Sequence, residues 1–478
     1  MLINGHFIGG ECDQAVGKAV IKAPFDGAVV GTVAEGSYRD LVVAIDAADD
    51  AFKTWRHSSR RERQGLLRRI ASAVRDRSDE LVEILSREIG KPITASNGEV
   101  TRLALTFDDA ADTLSTWGTE SMPVDMDSRG DGYRCIVERF PLGVIFCIVP
   151  YNWPFNLAAH KIAPALATGN TVVVKPSHLA PLSTYTLARI IHEAGCPPGV
   201  VNCLLTSSQD AEKALDDPRV KALSFTGSPK VGWHLKKELS DKKVTLELGG
   251  NASAIICEDA DLKWAIPRTI NGGYAYAGQI CISIQHVLIH ESRYDDAKHL
   301  LIEQTKSCAA GDPMDKDVVC GPLVSKEAAD KVEEFIQEAV QKGAKILAGG
   351  ERQGTLIRPT LIEGVPEDTR LFQEEVFGPV LTIRSFKTLD DAIAIVNKSQ
   401  YGIHAGIFTT DIRNAERAFQ EIEVGGVIIN DYPNLRFDNM PYGGVKRSGF
   451  GREGVRYAME DMTEPKVMLT RTKSDSDK

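Results

Sequence analysis

The sequence has no long apolar run, no block of basic residues and no ordered cysteine spacing, and each absence excludes a class of protein. Without a run of membrane-spanning length, a membrane protein is not expected. A net charge of −10 without a basic block disfavours binding to nucleic acid or to an anionic membrane. The nine cysteines, an odd number without a CxxC pair, predict reduced thiols in a cytoplasmic protein rather than disulfides or a metal site.

The overall composition predicts a folded protein with more than one core. Residues 1–10 contain no basic region followed by an apolar segment, so we expect no secretory leader. The 478 residues exceed what one hydrophobic core usually spans, and 43% hydrophobic residues are enough to fill several cores. Two or three domains are therefore expected.

The N-terminal part of the chain has mainly helical periodicity. It predicts helices over residues 41–55, 60–88 and 97–117. A turn-rich segment at 121–132 follows, and then residues 133–140 alternate as an exposed strand does. These two segments together are expected to form an arm between packed parts. The composition of residues 474–478 predicts a frayed tail.

From Val144 onward, short β-branched runs alternate with helical segments. Apolar strands joined by helices are typical of a parallel, doubly wound sheet that is covered on both faces. This fold class is common among nucleotide-binding proteins. A second alternation of the same kind runs from Ala252 to about Ile429, and the pair Gly249-Gly250 marks the boundary between the two α/β parts.

Two positions in the first α/β part are candidates for binding a nucleotide. Residues 225–232 follow a predicted strand and open a helix, with Ser228 as its N-cap and Pro229 at its first position. Free N–H groups at such a helix start can bind phosphate, although the spacing is not GxGxxG and a plain capped helix fits equally well. Lys175 ends another strand, where it either reaches a bound ribose or phosphate or faces water.

Three side chains are candidates for catalysis. Cys281, in a glycine-dotted segment before a strand, is either a nucleophile or a buried small hydrophobic residue. Glu247 ends an apolar strand, where desolvation would make it a stronger base, unless a structural partner holds it. Asn152 lies in a turn between a strand and a helix, where its amide either stabilises an oxyanion or serves the turn.

Together these segments resemble the signature motifs of the aldehyde dehydrogenase superfamily, in the order of that family and over about residues 1–471. The motifs are Pro150-Tyr-Asn-Trp-Pro154, Phe225-Thr-Gly-Ser228, Glu247-Leu-Gly-Gly250, Gly278-Gln-Ile-Cys281, Glu374-Glu-Val-Phe-Gly-Pro379 and Pro441-Tyr-Gly-Gly-Val-Lys-Arg-Ser-Gly449. The resemblance implies that Cys281 is the nucleophile and Glu247 the general base. It also implies that Asn152 and the backbone N–H of Cys281 form an oxyanion hole.

The same resemblance implies a nicotinamide cofactor, NAD or NADP. The residues expected to contact it are Lys175, Ser177 and His178 at the adenosine, Gly227 and Ser228 at the pyrophosphate, and Gly249, Glu375 and Phe377 at the nicotinamide ribose and ring. His178 occupies a position where the family often has a glutamate that grips the adenine ribose. The absence of that fixed negative charge leaves NADP as open as NAD, and with Lys175 nearby it slightly favours tolerance of NADP, unless His178 only faces solvent.

For the substrate, residues 435–442 resemble the branch that contains lactaldehyde, non-phosphorylating glyceraldehyde-3-phosphate and phosphonoacetaldehyde dehydrogenases. Arg102 and Arg436 could hold an anionic or hydroxylated tail, or could be structural ion pairs, and His160 is expected to face the same tunnel. Ile280 stands where relatives that use phosphorylated aldehydes tend to have an arginine. The resemblance therefore favours a hydroxyaldehyde, a semialdehyde or a sulfonated aldehyde.

We therefore predict an α/β fold with a doubly wound, parallel cofactor-binding domain, a second α/β catalytic domain and a small β arm for oligomerisation. The predicted limits are 1–121 with 141–249 for the cofactor-binding domain, 250–465 for the catalytic domain and 122–140 with 466–478 for the arm. An exposed arm strand is an unpaired edge, so a homodimer or homotetramer is expected.

The predicted reaction is metal-independent, NAD(P)-dependent oxidation of a small aldehyde to the free acid. The first alternative is oxidation of a phosphorylated or phosphonated aldehyde without added phosphate. Further alternatives are a CoA-acylating semialdehyde dehydrogenase, against which Glu247 argues, and an inactive cofactor-binding protein.

Overall fold

The computed structural model describes residues 2–13 and 18–471, which form strands and helices arranged around two large sheets and three small ones. The strands are β1 (Leu2–Asn4), β2 (His6–Ile8), β3 (Glu11–Asp13), β4 (Lys18–Lys22), β5 (Val29–Ala34), β6 (Glu120–Met122), β7 (Tyr133–Pro141), β8 (Val144–Ile148), β9 (Thr171–Lys175), β10 (Val201–Cys203), β11 (Val220–Thr226), β12 (Lys243–Glu247), β13 (Ala252–Ile256), β14 (Ile284–His290), β15 (Lys345–Ala348), β16 (Arg352–Gln353), β17 (Leu356–Ile357), β18 (Thr360–Glu363), β19 (Val380–Phe386), β20 (His404–Phe408), β21 (Gly426–Ile429), β22 (Gly449–Phe450) and β23 (Thr463–Arg471). The α-helices are α1 (Tyr38–Trp55), α2 (Arg60–Asp76), α3 (Ser78–Ile89), α4 (Ile93–Thr116), α5 (Pro154–Thr168), α6 (Pro181–Glu193), α7 (Ser208–Leu215), α8 (Pro229–Glu238), α9 (Leu262–Tyr274), α10 (Tyr294–Ser307), α11 (Lys326–Gln341), α12 (Arg370–Gln373), α13 (Leu389–Asn397), α14 (Ile412–Glu421) and α15 (Val455–Asp461).

The first large sheet has the strand order β22-β12-β11-β8-β9-β10-β2-β3, and its five central strands are parallel. Apolar side chains fill both of its faces, since β8 and β9 are almost wholly buried. The chain runs outward from β8 through β9 to β10 and then crosses over to β11, on the other side of β8. Ligands of open α/β sheets bind at such a switch point, outside the carboxyl ends of the strands.

The second large sheet has the order β15-β18-β19-β14-β13-β20-β21 and is parallel except for β15. Residues 248–251 link it to the first sheet, between the end of β12 and the start of β13. The chain later returns to the first sheet, because β22 pairs with β12 at Glu247 and Gly449. The two parallel sheets confirm the predicted doubly wound α/β fold.

A three-stranded sheet of order β23-β7-β6 contains the described residues that were predicted to pair in the arm. β7 and β23 pair antiparallel along their whole lengths, from Thr463 opposite Pro141 to Arg471 opposite Tyr133. The predicted strand over 133–140 is confirmed by β7. The predicted frayed tail and the last residues of the predicted arm lie outside the described part of the chain.

The predicted single helix over residues 60–88 is wrong. α2 ends at Asp76 and α3 begins at Ser78, because Arg77 leaves the helical region with φ −112° and ψ 19°. Asp79 and Glu80 then lie in the first turn of the new helix, where negative charge is favourable. The side chain of Arg77 bonds to Glu80, which fixes the corner between the two helices.

All nine cysteines are free thiols in the structure. Within residues 2–13 and 18–471, no helix is both long and apolar enough to cross a membrane. The same residues include no group of His, Cys, Asp and Glu side chains arranged to hold a metal ion.

Candidate active site

The segment that carries Cys281 has an unusual backbone. After α9, residues 275–278 form a single 3₁₀ turn in which Tyr276 and Ala277 have φ values of 51° and 53°. Gly278 follows with φ +66°, and a Cβ atom there would lie 2.2 Å from the carbonyl oxygen of Gly378. Only glycine fits this position, so the turn fixes where Cys281 emerges before β14.

The Cys281 thiol lies in a mostly apolar pocket. Its Sγ is 2.9 Å from the hydroxyl of Tyr442, and Ile282 and Ile403 pack around it. The residue keeps some accessible surface, but the dense protein around the sulfur raises the pKa of Cys281 to about 12. The hydrogen bond from Tyr442 opposes this effect. In this state the thiol is therefore protonated at neutral pH.

Glu247 is a buried carboxyl group without a hydrogen-bond partner. It ends β12, is 3% exposed, and neither of its oxygens has a partner among the described residues. Burial and the nearby charge of Glu453 raise the pKa of Glu247 well above its usual value, although Arg436 and Lys161 oppose this. A buried carboxyl group without a structural partner is poised to take a proton, as a general base does.

Asn152 lies between β8 and α5, at the switch point of the first sheet. Its Nδ2 donates to the backbone oxygen of Gln279 at 2.9 Å, which ties the turn to the Cys281 segment. One amide hydrogen remains for an oxyanion, since each side-chain amide has two. Glu99 fixes the helix behind Asn152 by accepting from the backbone N–H groups of Phe155 and Asn156 at 2.9 and 3.1 Å.

Glu99 is itself paired with Lys91, and both side chains are fully buried. The ammonium group of Lys91 also lies 3.8 Å above the ring of Trp153, next to Asn152. Loss of one partner leaves the other as an uncompensated buried charge, which is strongly destabilising. We expect Lys91→Met to lower the apparent Tm by several degrees in a thermal scan. The control Lys53→Met breaks an exposed pair with Asp50 and should leave Tm unchanged.

A buried charge network lies behind Glu247. Glu453 accepts from Lys161 at 2.9 Å and from Arg436 at 3.1 Å. Burial acts against ionisation of Glu453, but Lys161 and Arg436 hold its pKa below the usual value. The predicted substrate residue Arg436 is thus in an ion pair, and its guanidinium also lies 3.8 Å above the ring of Tyr442.

Two other predicted substrate residues, Arg102 and His160, both bond to Asp438. Arg102 Nη2 and His160 Nε2 approach the same carboxylate oxygen of Asp438, at 2.6 and 2.9 Å. Burial by itself would raise the pKa of Asp438. His160 and Arg102 outweigh this effect and hold the pKa of Asp438 well below its usual range. Burial and the charge of Arg436 lower the pKa of His160 to about 4, so His160 is neutral and donates to Asp438.

Ile280, the fourth predicted substrate residue, packs beside Cys281 against the apolar cluster that contains Tyr442. It brings no charge to the nucleophile. The structure therefore brings Arg102, His160 and Arg436 into one charged region and puts Ile280 on the apolar side of the thiol.

The predicted pyrophosphate and nicotinamide residues are close to one another. Ser228 caps α8 and Pro229 is its first residue, as predicted. The backbone N–H of Gly227 donates to the carbonyl of Glu247 at 3.0 Å, which links the helix start to β12. Glu375 accepts from the backbone of Gly250 at 2.9 Å, and burial raises the pKa of Glu375 to about 7.

The backbone carries no side chain at Gly249, where the cofactor is expected to approach it. A Cβ atom on Gly249 would lie 2.3 Å from the Glu375 carboxylate. Phe377 has a positive φ of 51°, and its ring contacts Tyr151 edge to face at 6.0 Å. The start of α8, the glycine beside a carboxylate and the aromatic ring fit a nicotinamide dinucleotide.

The predicted adenosine residues meet a carboxylate that the sequence did not suggest. Burial lowers the pKa of Lys175 to about 8, and Glu35 opposes this. His178 Nε2 lies 3.6 Å from Glu35, whereas the Ser177 hydroxyl accepts from the backbone of Leu179. Negative charge is therefore present at this site, supplied by Glu35 rather than by the residue at 178.

Sequence reasoning missed the ionic partners Lys161, Glu453, Asp438 and Glu35 and the thiol contact of Tyr442. Lys161 was a recognisable signal in the sequence, because it is a charged residue in the mostly apolar helix α5. Glu35 left none, because only the fold brings the end of β5 next to β9. The individual roles of the predicted site residues stay predictions.

Comparisons with known proteins identify the family. The sequence profile of the aldehyde dehydrogenase family matches residues 13–468. The 3-sulfolactaldehyde dehydrogenase of Priestia megaterium is 37% identical over 466 residues, which cover 97% of each chain. Aldehyde dehydrogenase 21 from Physcomitrella patens, solved with the reaction product succinate, is 39% identical with a TM-score of 0.96 and 98% of each chain covered.

A third relative is the glyceraldehyde-3-phosphate dehydrogenase from Methanocaldococcus jannaschii, whose structure was solved with NADP. It is 38% identical with a TM-score of 0.91, and the match covers 95% of this chain and 98% of that one. Solved structures that resemble this chain include both NADP-bound and NAD-dependent enzymes. The chain belongs to the aldehyde dehydrogenase family, and the protein is an oxidoreductase that uses NAD or NADP.

Proposed function

We propose that the protein oxidises a small aldehyde with one negatively charged or hydroxylated tail to the free carboxylic acid. The observation that carries this proposal is that the Cys281 thiol lies within electrostatic reach of Glu247, a buried carboxyl group without a hydrogen-bond partner among the described residues. Asn152 completes the set, since its amide is tied to the segment that carries the thiol. A nucleophile, a base and an oxyanion donor are the groups that thioester chemistry needs.

In the first half of the reaction, the sulfur of Cys281 attacks the aldehyde carbon and loses its proton. The new C–S bond forms while the carbonyl π electrons move to oxygen, and Asn152 donates a hydrogen bond to the resulting oxyanion. When bound, NAD or NADP supplies positive charge and the acceptor for the hydride that leaves this carbon. The product on Cys281 is a thioester.

In the second half, Glu247 takes a proton from a water molecule that attacks the thioester carbon. The C–S bond breaks, Cys281 leaves as the thiolate and the acid is released. Burial raises the pKa of Glu247 well above its usual value, which makes its ionised form a stronger base toward water.

The charges near the thiol favour a singly charged tail. The basic groups Arg102, Lys161 and Arg436 face two carboxylates whose pKa values are held low, Glu453 and Asp438. Among these five groups the cations outnumber the ionised carboxylates by one, and we infer that this suits a carboxylate or sulfonate better than a phosphate dianion. Ile280 adds no cation next to the nucleophile.

Initial rates on a panel of aldehydes test this proposal, each with NAD and with NADP and without CoA. The panel contains lactaldehyde, 3-sulfolactaldehyde, succinic semialdehyde and glyceraldehyde-3-phosphate. We expect one of the first three to have the highest kcat/KM. A large preference for glyceraldehyde-3-phosphate would overturn the charge argument, and turnover only with CoA would overturn release of the free acid.

Glu35 is expected to bias the enzyme toward NAD. Burial lowers the pKa of Lys175 and the Glu35 carboxylate, which lies 3.6 Å from His178, opposes this, so a 2′-phosphate placed there would meet a like charge. We expect Glu35→Gln to increase the ratio of kcat/KM with NADP to kcat/KM with NAD by about threefold to tenfold. Glu11→Gln, on an exposed residue of β3, is the control. An unchanged ratio in Glu35→Gln would remove Glu35 from cofactor selection.

We also propose that the arm joins copies of this chain. Val467, Met468 and Leu469 on β23 are each more than half exposed. Packing against another copy would bury these exposed apolar side chains and would also pair the open edge of the strand. Sedimentation should then give a dimer or tetramer.

The free thiols agree with a reducing cytoplasmic location.

A further inference from the structure

The Tyr442 hydroxyl touches the proposed reacting atom. Its oxygen lies 2.9 Å from Cys281 Sγ, within hydrogen-bonding distance. The tyrosine is 3% exposed, and its ring packs edge to face on His404 at 5.3 Å. The hydroxyl is therefore held in one place against the sulfur.

The direction of this hydrogen bond follows from the charge on the sulfur. A thiol can donate to the phenol oxygen or accept from it, but a thiolate can only accept. Burial raises the pKa of Tyr442 well above its usual value, so the hydroxyl keeps its proton and can donate. The Arg436 guanidinium over the ring, at 3.8 Å, makes the hydroxyl a stronger donor to an anion.

We propose that Tyr442 is a catalytic residue whose hydroxyl donates a hydrogen bond to the Cys281 thiolate and so increases the fraction of reactive sulfur. This inference rests on the proposed role of Cys281 as the nucleophile. Arg436 also favours the anion through its charge, but Tyr442 is the side chain that bonds to the sulfur, beside the apolar side chains of Ile280, Ile282 and Ile403. The same hydroxyl donates to the sulfur again when the thioester is hydrolysed and Cys281 leaves as the thiolate.

Alkylation with iodoacetamide tests the inference without aldehyde or cofactor. The thiolate sulfur displaces iodide, forming a C–S bond as the C–I bond breaks, while the thiol proton goes to solvent. Because only the thiolate reacts, the rate at Cys281 as a function of pH reports its pKa. Mass spectrometry of the Cys281 peptide assigns the rate to this residue.

We expect Tyr442→Phe, which removes only the oxygen, to shift the alkylation profile of Cys281 upward by about one pKa unit or more. This is about a tenfold lower rate at a given pH on the rising limb. The control Tyr294→Phe also removes a bonded hydroxyl, but one that bonds to Glu363 on β18 rather than to Cys281, and its profile should be unchanged. Unaltered Tm would show that Tyr442→Phe is folded.

Alkylation rates in Tyr442→Phe that are unchanged or higher across the pH range would overturn the inference. The hydroxyl would then only accept a hydrogen bond from the resting thiol or shield it from the reagent. The proposed function fails in a different way. If Cys281→Ala still oxidises aldehyde at the normal rate, Cys281 is not the nucleophile, whatever the alkylation rates are. The two readouts therefore separate failure of the inference from failure of the proposed function.

Discussion

Cys281→Ala is expected to reduce aldehyde-dependent formation of NADH or NADPH by about 10⁴-fold or more, because alanine has no nucleophile with which to form the covalent intermediate. Binding of the cofactor should persist, since its expected contacts lie on other segments. The measurement is the steady-state rate at saturating aldehyde, followed by absorbance of the reduced cofactor.

Cys308→Ala is the matched control for this substitution. Cys308 is also a partly accessible free thiol, but it lies at the end of α10, where it packs in the core of the second sheet. It should keep the normal rate. A Cys281→Ala enzyme that turns over as fast as Cys308→Ala would contradict a thiohemiacetal on Cys281.

Glu247→Gln is expected to slow turnover by about 10²- to 10⁴-fold while leaving the first hydride transfer nearly normal. The glutamine is similar in size but cannot accept a proton from water, so the thioester accumulates. Rapid mixing with aldehyde and cofactor should then show a burst of reduced cofactor of about one equivalent per site, followed by a slow steady state.

The pH dependence provides a second readout of Glu247. Burial raises the pKa of Glu247, so the group is protonated and inactive as a base below that pKa and becomes active above it. In the native enzyme the rate of thioester hydrolysis should therefore rise with pH. Glu247→Gln should lose that rise. A normal steady-state rate at neutral pH without a burst would remove Glu247 from this role.

The sequence predicted the framework of the site because apolar runs and turn residues are local signals. The strand that ends at Lys175 and the helix that begins after Ser228 both follow from their own residues. The break at Arg77 was missed because the helical periodicity continues without interruption across residues 60–88. It depends on the packing of two helices at a corner.

The ionic partners within the site could not be predicted, because they come from distant parts of the chain. Arg102 and Arg436 were recognised as possible substrate ligands, but whether they are free depends on Asp438 and Glu453. Likewise, the absence of a glutamate at position 178 suggested no negative charge, and the fold brings Glu35 there instead. Such pairings become visible only when the sheets are assembled.

The most direct test of the account is to trap the acyl group on the enzyme. Glu247→Gln protein is mixed with aldehyde and NAD or NADP, quenched in acid and digested, and the peptide that contains Cys281 is weighed. We predict a mass increase equal to the acyl group on Cys281, and no such increase in Cys281→Ala. Reduced cofactor without acylated Cys281, or an acyl group on another residue, would contradict the account.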